Sequence, residues 1–412
     1  MSVNFLFGKD KWNIESFVEK IEHFPGGKSV LYAIKNDKDL LNCSNKVYFY
    51  IVNSNETNPM LIGFDDKIID EVKNKEAKLV VYFVDSLPSA YRLLDEYVKE
   101  KGLDKKDVLL FIPDFIMRGS RTFSYLYDNN YVMADAVLNE QKRLRQFFDF
   151  LFNESMEYLR NKHFLSFNGR CKPHRSVLLW YLYRKNYLKF GDVSWNSMFN
   201  QEITMEAGVG NLELASNIEF FDNKVEYINY YAEHHPEIRK LFDKLPLVLD
   251  KKENSRGLDP DKENYNTSYI NLLLYFNSYI DIITQSWFID NEYPDDIENT
   301  VYIDEKIWKS IVVRKPFLII GQPNTLELLK KLGFKTFNNI FNEEYDKIID
   351  GKKRMFAIKV ELDELMNKSL IEIDKLYWNS TEKLLHNSIH FEECLRILDD
   401  TNLNTIKEFF YE

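Results

Sequence analysis

Residues 301–321, VYIDEKIWKSIVVRKPFLIIG, carry a helix start, a helix stop and a buried strand in one unbroken run. Asp304 is placed to cap a helix whose apolar residues Ile307, Trp308, Ile311 and Val312 form one stripe. Lys315-Pro316 ends that helix, because proline lacks a backbone donor and biases its predecessor away from helical geometry. Phe317 to Ile320 then starts a short, wholly apolar strand of the kind buried on both faces of a parallel sheet, and Gly321 closes it. Downstream, Asn324 with Glu327 three residues later has the form of a capping box for a helix over Thr325 to Leu332, closed by Gly333. This order puts Glu305 and Lys306 in a first turn that faces the carboxyl edge of a sheet, where open α/β sheets bind ligands and helix N-termini attract phosphate.

Working outward, residues 162–188 read as a second unit of the same kind. Phe164 to Phe167 is a strand, Asn168-Gly169-Arg170 a turn, and Pro173 the first position of a helix running to about Lys185. The connecting loop concentrates Arg170, Lys172, His174 and Arg175, and guanidinium groups match phosphate oxygens in a bidentate way. A solvated charged loop is the plain alternative. Residues 193–249 mix helix and loop signals, 251–266 are polar and turn-rich, and Ile270 to Tyr275 and Tyr279 to Phe288 read as strand or buried segments. After the opening stretch, Glu343 to Asp350 has a helical pattern and the chain from Lys353 onward is mostly helical.

The first 160 residues alternate strand and helix signals. Strands are expected at Phe5 to Phe7, Ser29 to Ile34, Val47 to Val52, Leu79 to Val84 and Val108 to Ile112, with helices at Asn13 to His23, Pro88 to Lys101 and Ala136 to Arg160. Asp85 and Asp114 follow two of these strands, where an α/β domain places ligand contacts and where turn residues also fall.

A chain of 412 residues exceeds one ordinary core, so two domains are expected, at 1–160 and 161–380, with a helical segment at 381–412. No apolar run reaches a membrane span, and the start lacks the pattern of a secretion signal, which together predict a cytoplasmic protein. Cys43, Cys171 and Cys394 are widely spaced and suggest neither disulfides nor a zinc site. The net charge of −11 disfavours unspecific binding to nucleic acid. Asp37-Lys-Asp39 and Asp259-Pro-Asp261 alternate acids in the form used for a divalent cation on a diphosphate, yet neither follows an apolar strand, so no metal is expected. His386 and His390 are spaced for one helix face but lack the acid of a zinc-protease motif, and read as helix surface or packing; the pair His234-His235 also stands out. No nucleophile elbow, phosphate-binding P-loop or dinucleotide fingerprint is present.

Asp304-Glu305-Lys306, Lys309, Pro316-Phe317, Gly321 and the run LELLKKLGFKTF at 326–337 resemble the C-terminal half of virus- and phage-encoded proteins grouped with glycosyltransferases. They are similar, more loosely, to the Glu-Lys helix of the α-1,3-fucosyltransferases, and FNGRCKPHR at 167–175 resembles an Asn-Arg and His-Arg element of the viral group. Where that pattern has Thr-Glu, this chain has Thr284-Gln285. The resemblance implies a GT-B architecture, α/β with two Rossmann-like domains facing a cleft. It further implies transfer of a sugar from a nucleoside-diphosphate sugar, a co-substrate rather than a cofactor, to an acceptor hydroxyl. Asn168, Arg170, His174, Arg175, Glu305, Lys306 and Gly321 would hold the donor, and Asp85 or Asp114 would be the base. A glycan, a protein or a modified DNA base would be the acceptor. Two alternatives stand beside it: a nucleotide- or nucleic-acid-binding protein without transfer activity, and an interaction module on a degenerate enzyme fold.

Overall fold

A computed structural model describes residues 3–7, 10–12, 46–52, 66–83, 90–112, 122–124, 160–168, 172–195, 240, 247, 249, 272–288, 297–394 and 397. The chain is mixed α/β with parallel sheets, divided into two compact units. The first comprises 1–139, 295–303 and 392–412, the second 140–294 and 304–391. Breaks at 160 and 380 would follow the chain as successive blocks; in the structure 295–303 and 392–412 instead return to the first unit.

The first unit holds a six-stranded sheet. Its strands are β1 (Val3–Phe7), β2 (Asp10–Trp12), β3 (Lys46–Val52), β4 (Ala77–Phe83), β5 (Val108–Ile112) and β6 (Thr122–Ser124), in the order β2-β1-β3-β4-β5-β6. β2 is antiparallel to β1, and the remaining pairings are parallel. α1 (Asp66–Lys73) offers Ile68, Ile69 and Val72 on one face, and α2 (Ala90–Glu100) offers Tyr97 and Val98. These pack with Leu79, Val81, Val108 and Leu110 into one core, each fully buried aliphatic side chain contributing roughly 1.5–3 kcal/mol. The short α5 (Ile297–Thr300) packs on α2, with Ile297, Val301 and Ile303 buried.

The second unit holds β7 (Lys162–Ser166), α3 (Pro173–Arg184), β8 (Gly191–Val193), α4 (Leu272–Asn277), β9 (Ser278–Thr284), α6 (Glu305–Val312), β10 (Phe317–Ile320), α7 (Thr325–Lys331), α8 (Gly351–Met366) and α9 (Leu370–Trp378), with further helix at 381–391. Its sheet is parallel throughout, in the order β10-β9-β7-β8. Every residue of β9 and β10 is buried, as expected of strands covered on both faces. The sheet order reverses at β7, which has its sequence successor β8 on one side and β9 on the other. The gap between β7 and β9 is therefore the topological switch point.

Several expectations need correction. Of the run read as strand or buried segment from Ile270 to Tyr275, the part from Leu272 is helical and forms the start of α4, since a short apolar run has no period to tell helix from strand. β9 ends at Thr284 rather than continuing to Phe288. Asn324 does not cap α7: it sits at φ +64 without a capping side-chain bond, and Asp346 caps the helix instead, accepting from Leu326 N at 3.0 Å and Glu327 N at 3.1 Å. Asp346 belongs to a 3-10 helix, Glu343–Lys347, within the stretch to Asp350 expected to be helical. The expected elements at 13–23, 29–34 and 136–159, the loop at 251–266, the Asp37 and Asp259 motifs and His234-His235 lie outside the described residues.

Candidate functional site

The carboxyl ends of β7, β8, β9 and β10 converge on a floor of buried polar side chains. Ser166 Oγ donates to Ile282 O at 2.9 Å and accepts from Asn168 Nδ2 at 3.2 Å. Asn168 N donates to Ser194 Oγ at 3.0 Å, which ties β7 to β8. Thr284 Oγ1 donates to Asn168 Oδ1 at 2.8 Å, a bond that spans the switch point between β7 and β9. Buried hydroxyls and amides cost stability unless paired, and this chain of bonds meets that requirement while fixing the strand exits against one another.

Cationic side chains from three helices close on the segment 284–288 leaving β9. At the start of α3, Lys172 Nζ donates to Ser286 O at 2.6 Å and lies 5.2 Å from the Trp287 ring centre. Arg175 Nη2 donates to the carbonyls of Thr284 and Gln285, both at 3.2 Å. His174 stacks on Phe288 at 5.3 Å, and its Nε2 stands 2.9 Å from Gln285 O. A carbonyl only accepts, so His174 carries its proton on Nε2. Burial, then the positive field of Arg175, Lys172 and Arg354, holds its pKa well below the usual histidine range, and the ring is neutral. From α8, Arg354 Cζ lies 4.4 Å over the Phe288 ring while Nε donates to Gly321 O at 3.2 Å and Nη1 to Ile348 O and Ile349 O at 2.7 Å each. From α6, the cap Asp304 accepts from Ser286 N at 2.8 Å, from Lys306 N at 3.2 Å and from Lys306 Nζ at 2.9 Å.

Arg175 and Lys306, far apart in sequence, thus meet neighbouring residues of one strand exit: Arg175 at the Gln285 carbonyl, Lys306 through Asp304 at the Ser286 amide. Asn168, His174 and Gly321 belong to the same edge, and Glu305 is the first residue of α6. Arg175 is 3% exposed and is bonded to backbone carbonyls, so what it offers a ligand is field rather than an open guanidinium fork. Lys306 is more accessible, its side chain 19% exposed. Gly321 packs under Gln285, whose Oε1 lies 3.2 Å from Thr325 Oγ1.

Asp85, Asp114 and Arg170 lie outside the described residues. Arg354 and Trp195 were not singled out by sequence reading. A Lys-Lys-Arg run opening a helix reads as a solvated face, and nothing local indicates that its arginine reaches a carbonyl at the end of β10. His386 and His390 act as helix caps, with Nε2 atoms 2.9 Å from Gly333 O and 2.6 Å from Leu332 O. Among the described residues no cluster of three or more His, Cys, Asp or Glu side chains is gathered for a metal, and no helix is long and apolar enough to cross a membrane. The class defined by fold and site is a parallel α/β protein with a cation-rich strand exit at a sheet switch point. No family model, curated protein or solved structure matches the chain.

Proposed function

We propose that this chain is a glycosyltransferase of the GT-B type, with two Rossmann-like domains, of which the second holds a nucleoside-diphosphate sugar at the carboxyl edge of its sheet. The observation that carries the reading is the convergence of Lys172, Arg175, Arg354 and the Asp304-capped turn of Lys306 on one strand exit beside the switch point, where open α/β sheets take ligands. Positive groups fixed there in advance would stabilise the charge that develops on a departing diphosphate. The reaction requires an acceptor hydroxyl to attack the anomeric carbon as its proton passes to a base, with the nucleoside diphosphate as leaving group. Asp85 and Asp114 remain the nominees for that base.

Thermal melts with UDP-, GDP- and dTDP-sugars test this reading. At least one is expected to raise the midpoint, and Lys172→Gln with Lys306→Gln should weaken its binding by about tenfold or more, the loss expected for removing charge-assisted contacts. Absence of any shift across the panel would sink the reading. A second reading, nucleotide binding without transfer, is favoured by Gln285, a carboxamide at the position where the resembled pattern has an acid. Stabilisation by a sugar nucleotide with no release of nucleoside diphosphate in the presence of any acceptor class would favour it.

A further inference from the structure

Lys172 and Trp287 meet across the switch point. Lys172 stands between β7 and α3, Trp287 lies just beyond Thr284, the last residue of β9, and the Lys172 ammonium is 5.2 Å from the centre of the Trp287 ring. The bond from Lys172 Nζ to Ser286 O at 2.6 Å holds the pair together, so the indole lies on the α3 side of the β9 exit, toward the gap between β7 and β9. Both residues are partly exposed, which sets them apart from their neighbours. Of the other aromatic residues described at this edge, Trp195 and Phe288 are buried, and Phe167 packs on the cluster of Leu165, Tyr275 and Val313. The switch point thus offers solvent an ammonium group beside a wide, flat ring. A nucleotide has the complementary halves, phosphate oxygens that pair with an ammonium and a base whose face stacks on an aromatic side chain. An aromatic ring left in contact with water forgoes burial that its area would otherwise contribute, and a ligand ring laid on it recovers that contribution.

We infer that the Trp287 ring is the platform on which the base of a nucleoside diphosphate stacks, with Lys172 beside it on the phosphate side. This rests on the placement of a nucleotide sugar at the switch point; the net charge of −11 favours a free nucleotide over a nucleic-acid strand. The test is titration calorimetry of the full-length wild type, Trp287→Leu and Trp287→Tyr with UDP, GDP and inorganic pyrophosphate. Trp287→Leu is expected to bind the better nucleoside diphosphate about tenfold more weakly or worse, Trp287→Tyr to restore most of that loss, and pyrophosphate to bind all three proteins equally. Unchanged nucleoside-diphosphate affinity in Trp287→Leu overturns the proposal, as does an equal loss for pyrophosphate, which would mean that the ring serves only to place Lys172. Pyrophosphate binding as tightly as either nucleoside diphosphate to the wild type also overturns it, while leaving the diphosphate site standing. Failure of all three ligands to bind the wild type removes the proposed function itself, a result distinct from the others. Should the variants not fold, oxidation of Trp287 by N-bromosuccinimide in the wild type, followed by peptide mass spectrometry, decides the matter. Saturating nucleoside diphosphate is expected to slow that oxidation severalfold and pyrophosphate to leave it unchanged; undiminished oxidation under nucleoside diphosphate overturns the proposal.

Discussion

A Cβ built on Gly321 would sit 1.8 Å from Gln285 Oε1, so the strand exit of β10 requires glycine for close approach rather than for a left-handed backbone. Gly321→Ala is expected to cost about 1–3 kcal/mol in urea unfolding, and adding Gln285→Ala should recover much of that loss, because the clash lies in one side chain. Gly321 is legible in sequence as the end of an apolar strand, but its partner is not, since the two lie on separate elements. Deeper in the same sheet, Asp281 accepts from the Ser310 hydroxyl near the fully buried Lys315, whose ammonium donates to Tyr275 O, Ser278 O and Ser278 Oγ. Burial raises Asp281 to about 6 against attraction from Lys315 and Lys309. A raised carboxyl pKa means that the folded state holds the extra proton. Its stabilising contribution is complete below the ordinary value of 3.8 and is lost as pH rises through about 6. Thermal melts at pH 4 and pH 7 should therefore show Asp281→Asn gaining on the wild type with rising pH. A constant difference across that window would contradict the assignment.

At the scale of elements, α6 was readable because its signals are local: Asp304 at the cap, an apolar stripe, then Lys315-Pro316. α7 was misread at its start for the opposite reason. Asn324 and Glu327 have capping-box spacing, yet the donors of the first turn are met by Asp346, some twenty residues on, whose own backbone carbonyl also accepts from Asn324 N at 2.7 Å. A cap supplied from another element leaves no trace at the helix it caps. Asp346→Ala should cost about 1–2 kcal/mol, whereas Asn324→Gly, which removes the side chain and suits the φ of +64, should cost no such cap, and a denaturant series on both variants separates the two accounts. The other end of α7 is likewise closed from outside. Gly333, at φ +92, turns the chain, and His386 and His390 reach the carbonyls of Gly333 and Leu332, which is why their spacing on one face needs no metal.

Over the whole chain, the alternation of strands and helices was enough to expect parallel α/β sheets, but not to place the boundaries of the units. The return of 295–303 to the first unit is set by packing: Ile297, Val301, Tyr302 and Ile303 are buried, and α5 lies against α2. Nothing in that short run distinguishes it from a linker when it is read beside the helix that Asp304 begins. The consequence is a fragment experiment. A polypeptide ending at residue 160 contains all six strands of the first sheet yet lacks α5, which packs on α2, and the buried aliphatic side chains of Ile297, Val301 and Ile303. At roughly 1.5–3 kcal/mol for each fully buried aliphatic side chain, the deficit is comparable with the whole stability of an ordinary domain. The fragment 1–160 should accordingly melt without a cooperative transition by circular dichroism. The same fragment with residues 295–303 appended through a flexible linker should regain a measurable midpoint. Cooperative unfolding of 1–160 by itself would show that α5 is dispensable and that the first core is complete without the returning segment.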